Sequence, residues 1–403
     1  MTDCLKPRDA KDVEEAVRWA VSDGKALDVA GQGSKRAIGR PSQTDLTLDI
    51  SGLTGVTLYE PEELVLSAKA GTPLAEIEAL LDKHDQQLAF EPADYGPLFG
   101  QPAGQGTLGG VVAANLSGPR RIKAGAARDH VLGVGAVTGR GETIKTGGRV
   151  VKNVTGYDLC KVLSGSWGTL AVMTDITIKV LPKPETEATL VVEGLSDAQA
   201  CTAMTAATGS VADVSGAAHL PDHVASWFAG LKTEAATVFR LEGVVPSVAH
   251  RREQLAALMQ PLGPVSILDE TASRALWRDI RDVKAFAIAS ARCRPLWRIS
   301  TAPAQAHRLV DLITPAAQML YDWAGGLVWI GMPYEDEPDV GSVRTAVVEL
   351  GGHATLIRAP ASVRATIDVF QPEEPGLRAL SQRVKESFDP KGVLNPGRMW
   401  AGV

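Results

Sequence analysis

Two stretches combine glycines with hydrogen-bond donors at spacings that suit an anion. The first is Gly31-Gln32-Gly33-Ser34-Lys35-Arg36, directly after the apolar run "ALDVA" at 26–30. Glycines allow φ > 0, so successive amide N–H groups can converge on one concavity. Ser34 adds a hydroxyl, and Lys35 and Arg36 add charge. An ordinary strand-to-loop turn is the competing reading, since short glycine motifs are common. The second stretch is "PAGQGTLGGVVAANLSGPRR" at 102–121. Within it, Gly104-Gln105-Gly106-Thr107-Leu108-Gly109 matches G-x-G-x-x-G, and Asp129 follows twenty residues after the last glycine. That pattern marks a dinucleotide fold only when a buried strand precedes it and an acidic residue ends the next strand. Prolines in "ADYGPLFGQPA" exclude a central strand there, and Asp129 precedes the following strand. What survives is a set of backbone donors around Thr107–Gly110 at a helix start, suited to an anion or a carbonyl oxygen. A linker, or a simple tight turn, competes with it.

Other chemistry is sparser. Cys4, Cys160, Cys201 and Cys293 form no C-x-x-C pair, so no metal site is expected and reduced thiols in the cytosol are. A net charge of −6 argues against a nucleic-acid partner. Hydrophobic content of 45% and charged content of 22% are those of a folded globular chain. No apolar run of membrane-spanning length occurs, and the polar N-terminus lacks a secretory pattern.

The elements that must position these loops alternate in period. Val13, Ala16, Val17 and Ala20 share one face of a helix over 9–22, and short strands are expected at 26–30, 45–50, 55–59 and 64–70. Thr72-Pro73 reads as cap and first position of a helix with Leu74, Ile77, Leu80 and Leu81 inward. Thr107 caps another helix ending near Leu116, and Gly139-Arg140-Gly141 joins two strands. "YDLCKVL" reads as a helix, and "GSWGTL" turns into the strand "AVMTDITIKVLP". From about 185 the glycine-dense loops thin out. Strands at 188–193, 236–244, 285–290, 295–300 and 326–332 alternate with helices at 196–207, 246–260, 271–282, 303–313 and 340–350. That is an α+β layer, with no internal repeat visible.

Two such loops suggest a long ligand with phosphates and a ring system, which flavin adenine dinucleotide would satisfy. The segments "VAGQGSKRAIG", "GQGTLGGVVAANLSGP", "RDHVLGVGAVTGRGETIKTGG", "VVKNVTGYDLCKVLSGSWGTLAVMTDITIKVLP" and "FDPKGVLNPGR" together resemble the flavoproteins of the vanillyl-alcohol oxidase (PCMH) type. Within that family the resemblance is to the FAD-binding E subunits of bacterial glycolate oxidases. It implies an α+β fold: a two-part PCMH-type FAD-binding domain over 1–184, an α+β (ferredoxin-like) cap over 185–370, and a segment over 371–403 returning to the flavin. By the same resemblance, Gly31, Gln32, Gly33, Ser34 and Lys35 wrap the pyrophosphate. Gln101, Pro102, Gly106, Thr107, Gly109, Gly110, Ala113 and Asn115 line the flavin, and Arg128 and Asp129 order the pocket. Gly168, Thr169 and Ile176 lie along the adenine and ribityl end, and Asn395 and Arg398 return to the ring. The first loop has no histidine, so the FAD is expected to be non-covalent.

The resemblance further implies a subunit of a glycolate (2-hydroxy acid) dehydrogenase complex, with a catalytic FAD subunit and an iron–sulfur subunit as partners. The location would be cytoplasmic, peripheral at the inner membrane through the complex. This chain lacks the cysteine spacing for a cluster of its own. A stand-alone D-2-hydroxy-acid dehydrogenase, or a flavin-holding scaffold without turnover, remains open. Catalytic relatives carry H-x-x-G-D-G-N-x-H, whereas "GGHATLIRAP" at 351–360 keeps only His353. If the chain oxidises a hydroxy acid, His353 is the candidate base. Arg274, Arg278, Arg292, Arg298 and Arg358 are the unranked candidates for its carboxylate. Trp277 and Trp297 read as core.

Overall fold

The computed structural model describes residues 3–149, 157–228, 230–231, 234–287, 294–334 and 337–402. The chain forms two compact units, residues 1–117, 126–183 and 364–403 in one, and 118–125 with 184–363 in the other.

The first unit contains two principal sheets. Strands β1 (Asp3–Leu5), β2 (Leu27–Ala30) and β3 (Leu46–Asp49) run parallel in the order β1-β3-β2. The helix Ala10–Asp23 links β1 to β2 and buries Val13, Val17 and Ala20, the face set by its apolar spacing. Asp9 caps it by accepting from the amides of Lys11 and Asp12, and left-handed Gly24 ends it. Strands β4 (Val56–Glu60) and β5 (Val65–Lys69) follow, then a short β6 (Gln86–Gln87). Next come β7 (Val131–Thr138), β8 (Thr143–Gly147), β9 (Ala171–Lys179) and β10 (Leu181–Pro182), which pairs with β6. The larger sheet is antiparallel in the order β4-β5-β9-β7-β8, with the expected Gly139-Arg140-Gly141 hairpin between β7 and β8. Thr72 departs from its expected role. Its hydroxyl donates to Lys69 O (2.7 Å) and accepts from Gly55 N–H (3.0 Å), holding the turn before the helix Leu74–Asp82, whose cap position is Pro73.

The second unit is an eight-stranded antiparallel sheet of β11 (Thr186–Glu193), β12 (Gly216–Leu220), β13 (Ala236–Gly243), β14 (Val265–Leu268), β15 (Leu296–Thr301), β16 (Gln318–Asp322), β17 (Leu327–Gly331) and β18 (Gly352–Arg358). Its order, β14-β11-β13-β12-β16-β17-β15-β18, contains the same split β-α-β-β-α-β arrangement twice, joined where β12 lies beside β16. Helices Asp197–Thr208 and Val245–Met259 complete the first copy; Leu309–Leu312 and Val340–Leu350 complete the second. The α+β cap therefore does contain a repeat of topology, which sequence reading did not reveal. The expected strand at 285–290 is instead a 3-10 turn at Lys284–Phe286, with 288–293 outside the described residues. Residues 303–313 begin as a 3-10 turn, because Pro303 and poor apolar spacing favour the tighter form.

The unit boundaries also differ from the expected 1–184, 185–370 and 371–403. Residues 118–125 join the cap because Arg120 pairs with buried Glu242, Trp323 Nε1–H donates to Gly118 O (2.9 Å), and Lys123 pairs with Asp213. The tail, from Arg364, packs with the first unit: Arg364 Nη1 donates to Gly39 O (2.6 Å). Among the described residues, no helix is long and apolar enough to cross a membrane.

Candidate cofactor site

The first loop leaves β2 at Ala30. Gly33 adopts φ 81°, a left-handed conformation, and a Cβ there would meet nothing within 4 Å. Arg36 N–H donates to Gly33 O and Ile38 N–H to Lys35 O, both at 3.0 Å, closing two tight turns. The amides of Gln32, Gly33, Ser34 and Lys35 have no acceptor among the described residues. Gly31 is glycine for another reason: a Cβ would lie 2.7 Å from Thr107 Oγ1, so its absence lets the first loop rest against the second.

The second loop behaves differently from the expectation of open donors at Thr107–Gly110. Leu108 N–H donates to Thr72 O (3.0 Å), Gly109 N–H to Ala70 O (2.7 Å), and Gly110 N–H to Thr107 Oγ1 (3.2 Å). These amides are committed inside the protein, because the short helix Leu108–Ala114 starts hard against the chain leaving β5. Gly109 is required by that approach, since a Cβ would lie 2.9 Å from both Ala70 O and Ala70 Cβ. The open donors therefore come from the first loop, and the second contributes wall.

Between them lies a cleft, open to solvent, whose lining draws on both loops. Its wall brings together Gly31, Gln32, Gly33, Ser34, Lys35, Thr107, Gly109, Gly110, Ala113, Gly168 and Arg398 from the expected set. The remaining expected residues lie outside it. Gln101 and Pro102 are exposed, and Gly106 packs on Leu74. Asn115 ends the helix and accepts from Arg128 N–H (3.0 Å), while Asp129 accepts from Ala126 N–H (2.9 Å). Thr169 Oγ1 donates to Ser166 O (2.8 Å), and Ile176 is core on β9. Asn395 is a clamp behind the wall: its Oδ1 accepts from Val29 N–H and its Nδ2 donates to Trp167 O, both at 2.8 Å.

The charged side chains in the wall are Lys35, Arg36 and Arg398; no carboxylate of the described residues lines it. Asp28 stands behind, paired with Arg36 and 3.9 Å from Arg398 Nη1. Burial pushes the Lys35 ammonium down to about 8, and the charge of Asp94 opposes this only in part. Burial likewise lowers the pKa of Arg398, against Asp28. Arg398 Nη2 donates to Lys35 O (3.1 Å), yet its Nε, like Gln32 Oε1, is buried without a hydrogen-bond partner. Orphaned buried polar atoms, unbonded amides and the Lys35 ammonium, in a wall that no carboxylate lines, fit a diphosphate. Val29, Ile50, Ala113, Trp167, Ala171 and Met173 supply the apolar surface that a ring system needs.

Sequence reading missed Trp167, Ile50, Ala171 and Met173. Trp167 is left-handed (φ 52°), unusual for a bulky residue, with its amide donating to Ala113 O (2.9 Å). The signal was its place in "GSWGTL", but nothing local says that the ring faces a cavity.

The catalytic candidates all belong to the second unit. Arg358 is buried and donates to Arg294 O (2.9 Å) and Phe286 O (2.8 Å), a structural use. Arg274 pairs with Glu270 along its helix, Arg278 is exposed, and Arg292 lies outside the described residues. Trp277 and Trp297 are core, donating to Thr189 Oγ1 (2.8 Å) and Pro338 O (2.7 Å). Arg298 lies over the Trp323 ring at 4.9 Å. His353 is exposed on β18. Crowding by surrounding protein, then the charges of Arg298 and Arg121, hold its imidazole below the ordinary histidine pKa.

Comparison with known proteins shows the family. Residues 4–147 match the family described as an FAD binding domain. Glycolate oxidase subunit GlcE of Escherichia coli is 36% identical over 389 residues, 96% of each chain. Glycolate oxidase subunit GlcD of Bacillus subtilis is 26% identical over 73% of this chain and 68% of its own. The solved 4-ethylphenol oxidase from Gulosibacter chungangensis superposes with a TM-score of 0.71 at 13% identity, covering 99% of this chain and 89% of that one. That likeness is one of fold, and together with the FAD binding domain match it gives the PCMH-type α+β architecture. The cofactor is FAD, and the chain belongs to the family of the glycolate oxidase subunit GlcE.

Proposed function

We propose that this chain is the FAD-binding subunit of a glycolate (2-hydroxy acid) oxidase or dehydrogenase complex and takes part in oxidising glycolate to glyoxylate. The observation that carries this reading is 36% identity to GlcE across 96% of both chains. When bound, FAD supplies the two-electron redox chemistry that side chains lack. The chain's own residues would hold it: the open amides of Gln32–Lys35 with Lys35, Arg36 and Arg398 would meet the diphosphate, and Trp167 and Met173 would offer apolar surface to the ring system. Asn395 positions the wall by tying Val29 to Trp167.

The partners in this reading are a catalytic FAD subunit and an iron–sulfur subunit, with the complex cytoplasmic and peripheral at the membrane. Cys160 and Cys201 are buried, and burial raises both thiol pKa values, so neither suits a cluster. The test is to assemble the complex with this chain carrying Lys35→Met and Arg398→Met. Loss of its FAD with at least a tenfold fall in glycolate-dependent dye reduction supports the reading. Unchanged turnover with a flavin-free subunit refutes it and leaves the scaffold alternative. Anaerobic bleaching by glycolate of the chain alone would instead favour a stand-alone dehydrogenase.

A further inference from the structure

The sequence could not rank the arginines, but the fold groups two of them with one histidine. Arg298 stands on β15 opposite Thr355, and His353 is two residues from Thr355 on β18. Residues two apart share a face, so Arg298 and His353 form a diagonal pair on one side of the sheet. Trp323 lies buried at the end of β16, its amide donating to Asp322 Oδ1 (2.7 Å). The segment 118–125, reached from the helix Leu108–Ala114, brings a second guanidinium: Arg121 sits 4.3 Å from the Trp323 ring centre, and Arg298 sits 4.9 Å from it.

A single cation over an indole is ordinary packing. Here two guanidiniums from distant parts of the sequence converge on one ring, and both act on the same imidazole. Arg121 and His353 are exposed, so the cluster is open to solutes. The indole is fixed by the bond from its Nε1 to Gly118 O, and Trp323 and Ala324 are both left-handed, at φ 53° and 57°. Bulky residues adopt that conformation only where surroundings impose it. Arg120, paired bidentately with buried Glu242, anchors the segment that presents Arg121.

We propose that Arg121, Arg298 and His353, arrayed on Trp323, form a binding site for the carboxylate of a small 2-hydroxy or 2-oxo acid. The two planar forks match carboxylate oxygens, and the imidazole is the hydrogen-bond partner for the adjacent hydroxyl or carbonyl. The ligand class rests on the functional reading above; the anion site rests on the cluster. Arg121 is the residue that sequence reading did not consider, because it lies beside the second glycine loop and far from the cap in sequence.

The experiment is calorimetric titration of the FAD-loaded full-length chain with oxalate and with glycolate. Saturable binding is expected in the wild type. It should weaken by at least about tenfold in Arg121→Ala and in Arg298→Ala, the loss of one charge-assisted bond. Arg298→Lys, which keeps charge without the fork, should fall between. The exposed control Arg274→Ala should bind as the wild type, and unchanged flavin absorbance in each variant shows that the fold is kept. Equal affinity in Arg121→Ala and Arg298→Ala, or no saturable binding in the wild type, overturns the site. Oxalate binding that needs both arginines, in a complex that does not oxidise glycolate, supports the site while counting against the functional reading.

Discussion

Replacing Lys35 by Met separates two effects that one buried ammonium combines. In the cofactor-free chain its charge sits in a wall without a carboxylate, and burial has lowered its pKa from 10.5 to about 8. At 1.36 kcal/mol per pKa unit, that depression corresponds to about 3 kcal/mol of disfavoured charge near neutrality. Between those two pKa values the unfolded chain holds a proton that the folded chain has lost. Stability of the cofactor-free chain therefore rises with pH across that window, and the penalty is present in full below it. Lys35→Met has no charge to bury, so without FAD it melts higher than the wild type near neutral pH and loses this pH dependence. FAD affinity moves the other way. A charge-assisted bond to phosphate contributes roughly 1.5–3 kcal/mol, a weakening of about 10- to 150-fold when it is removed. Wild-type affinity should also fall above about pH 8, where Lys35 must take up a proton before it can serve, and the variant should not show this. Thermal melts of the cofactor-free chain and flavin-fluorescence titrations at neutral and alkaline pH read both effects. A variant that melts lower than the wild type without FAD, and binds FAD as tightly, refutes the reasoning.

Three further outcomes follow from other parts of the molecule. Burial alone would raise the Glu242 pKa, but Arg240 and Arg120 outweigh burial and hold it at about 2 instead of 4.5. Stability from that pair is complete above the unfolded value and lost as pH falls toward the folded one, so Glu242→Gln should flatten the acid limb of the denaturation profile by up to about 3 kcal/mol; coincident profiles in urea melts would contradict this. Asn395→Ala orphans Val29 N–H and Trp167 O, which should cost roughly 1–3 kcal/mol for each group and lower both melting temperature and FAD content. An unchanged melt would show that the clamp carries no load. Acid precipitation should leave the yellow colour in the supernatant, because the first loop offers no histidine for a covalent link; a yellow pellet is the contrary result.

Much of the fold was legible where local signals agree with tertiary packing. The helix at Ala10–Asp23 shows its face by spacing, and Thr107 and the Gly139-Arg140-Gly141 turn act as their residue types suggest. Glycines were harder to interpret. Gly33 is glycine for its backbone angle and open space, Gly31 for Thr107, and Gly109 for Ala70, and the sequence cannot distinguish these three causes. The cap repeat was hidden because β12, β14 and β16 are short and nearly uniform in burial or exposure, leaving no clean alternation to read. The grouping of Arg121 with Arg298 was illegible for a topological reason. Residues 118–125 leave the first unit's sequence yet pack in the second, held by Glu242 and Trp323.

The central claim is that open amides of the first loop, with Lys35, Arg36 and Arg398, hold the diphosphate of FAD. Comparing equilibrium affinities for FAD and for riboflavin, which shares the ring but lacks both the diphosphate and the adenosine, in the cofactor-free wild type and in Lys35→Met tests it most directly. The account predicts FAD tighter by at least about 100-fold, two charge-assisted bonds' worth, with the gap narrowing in Lys35→Met. Equal affinities for the two flavins would contradict it.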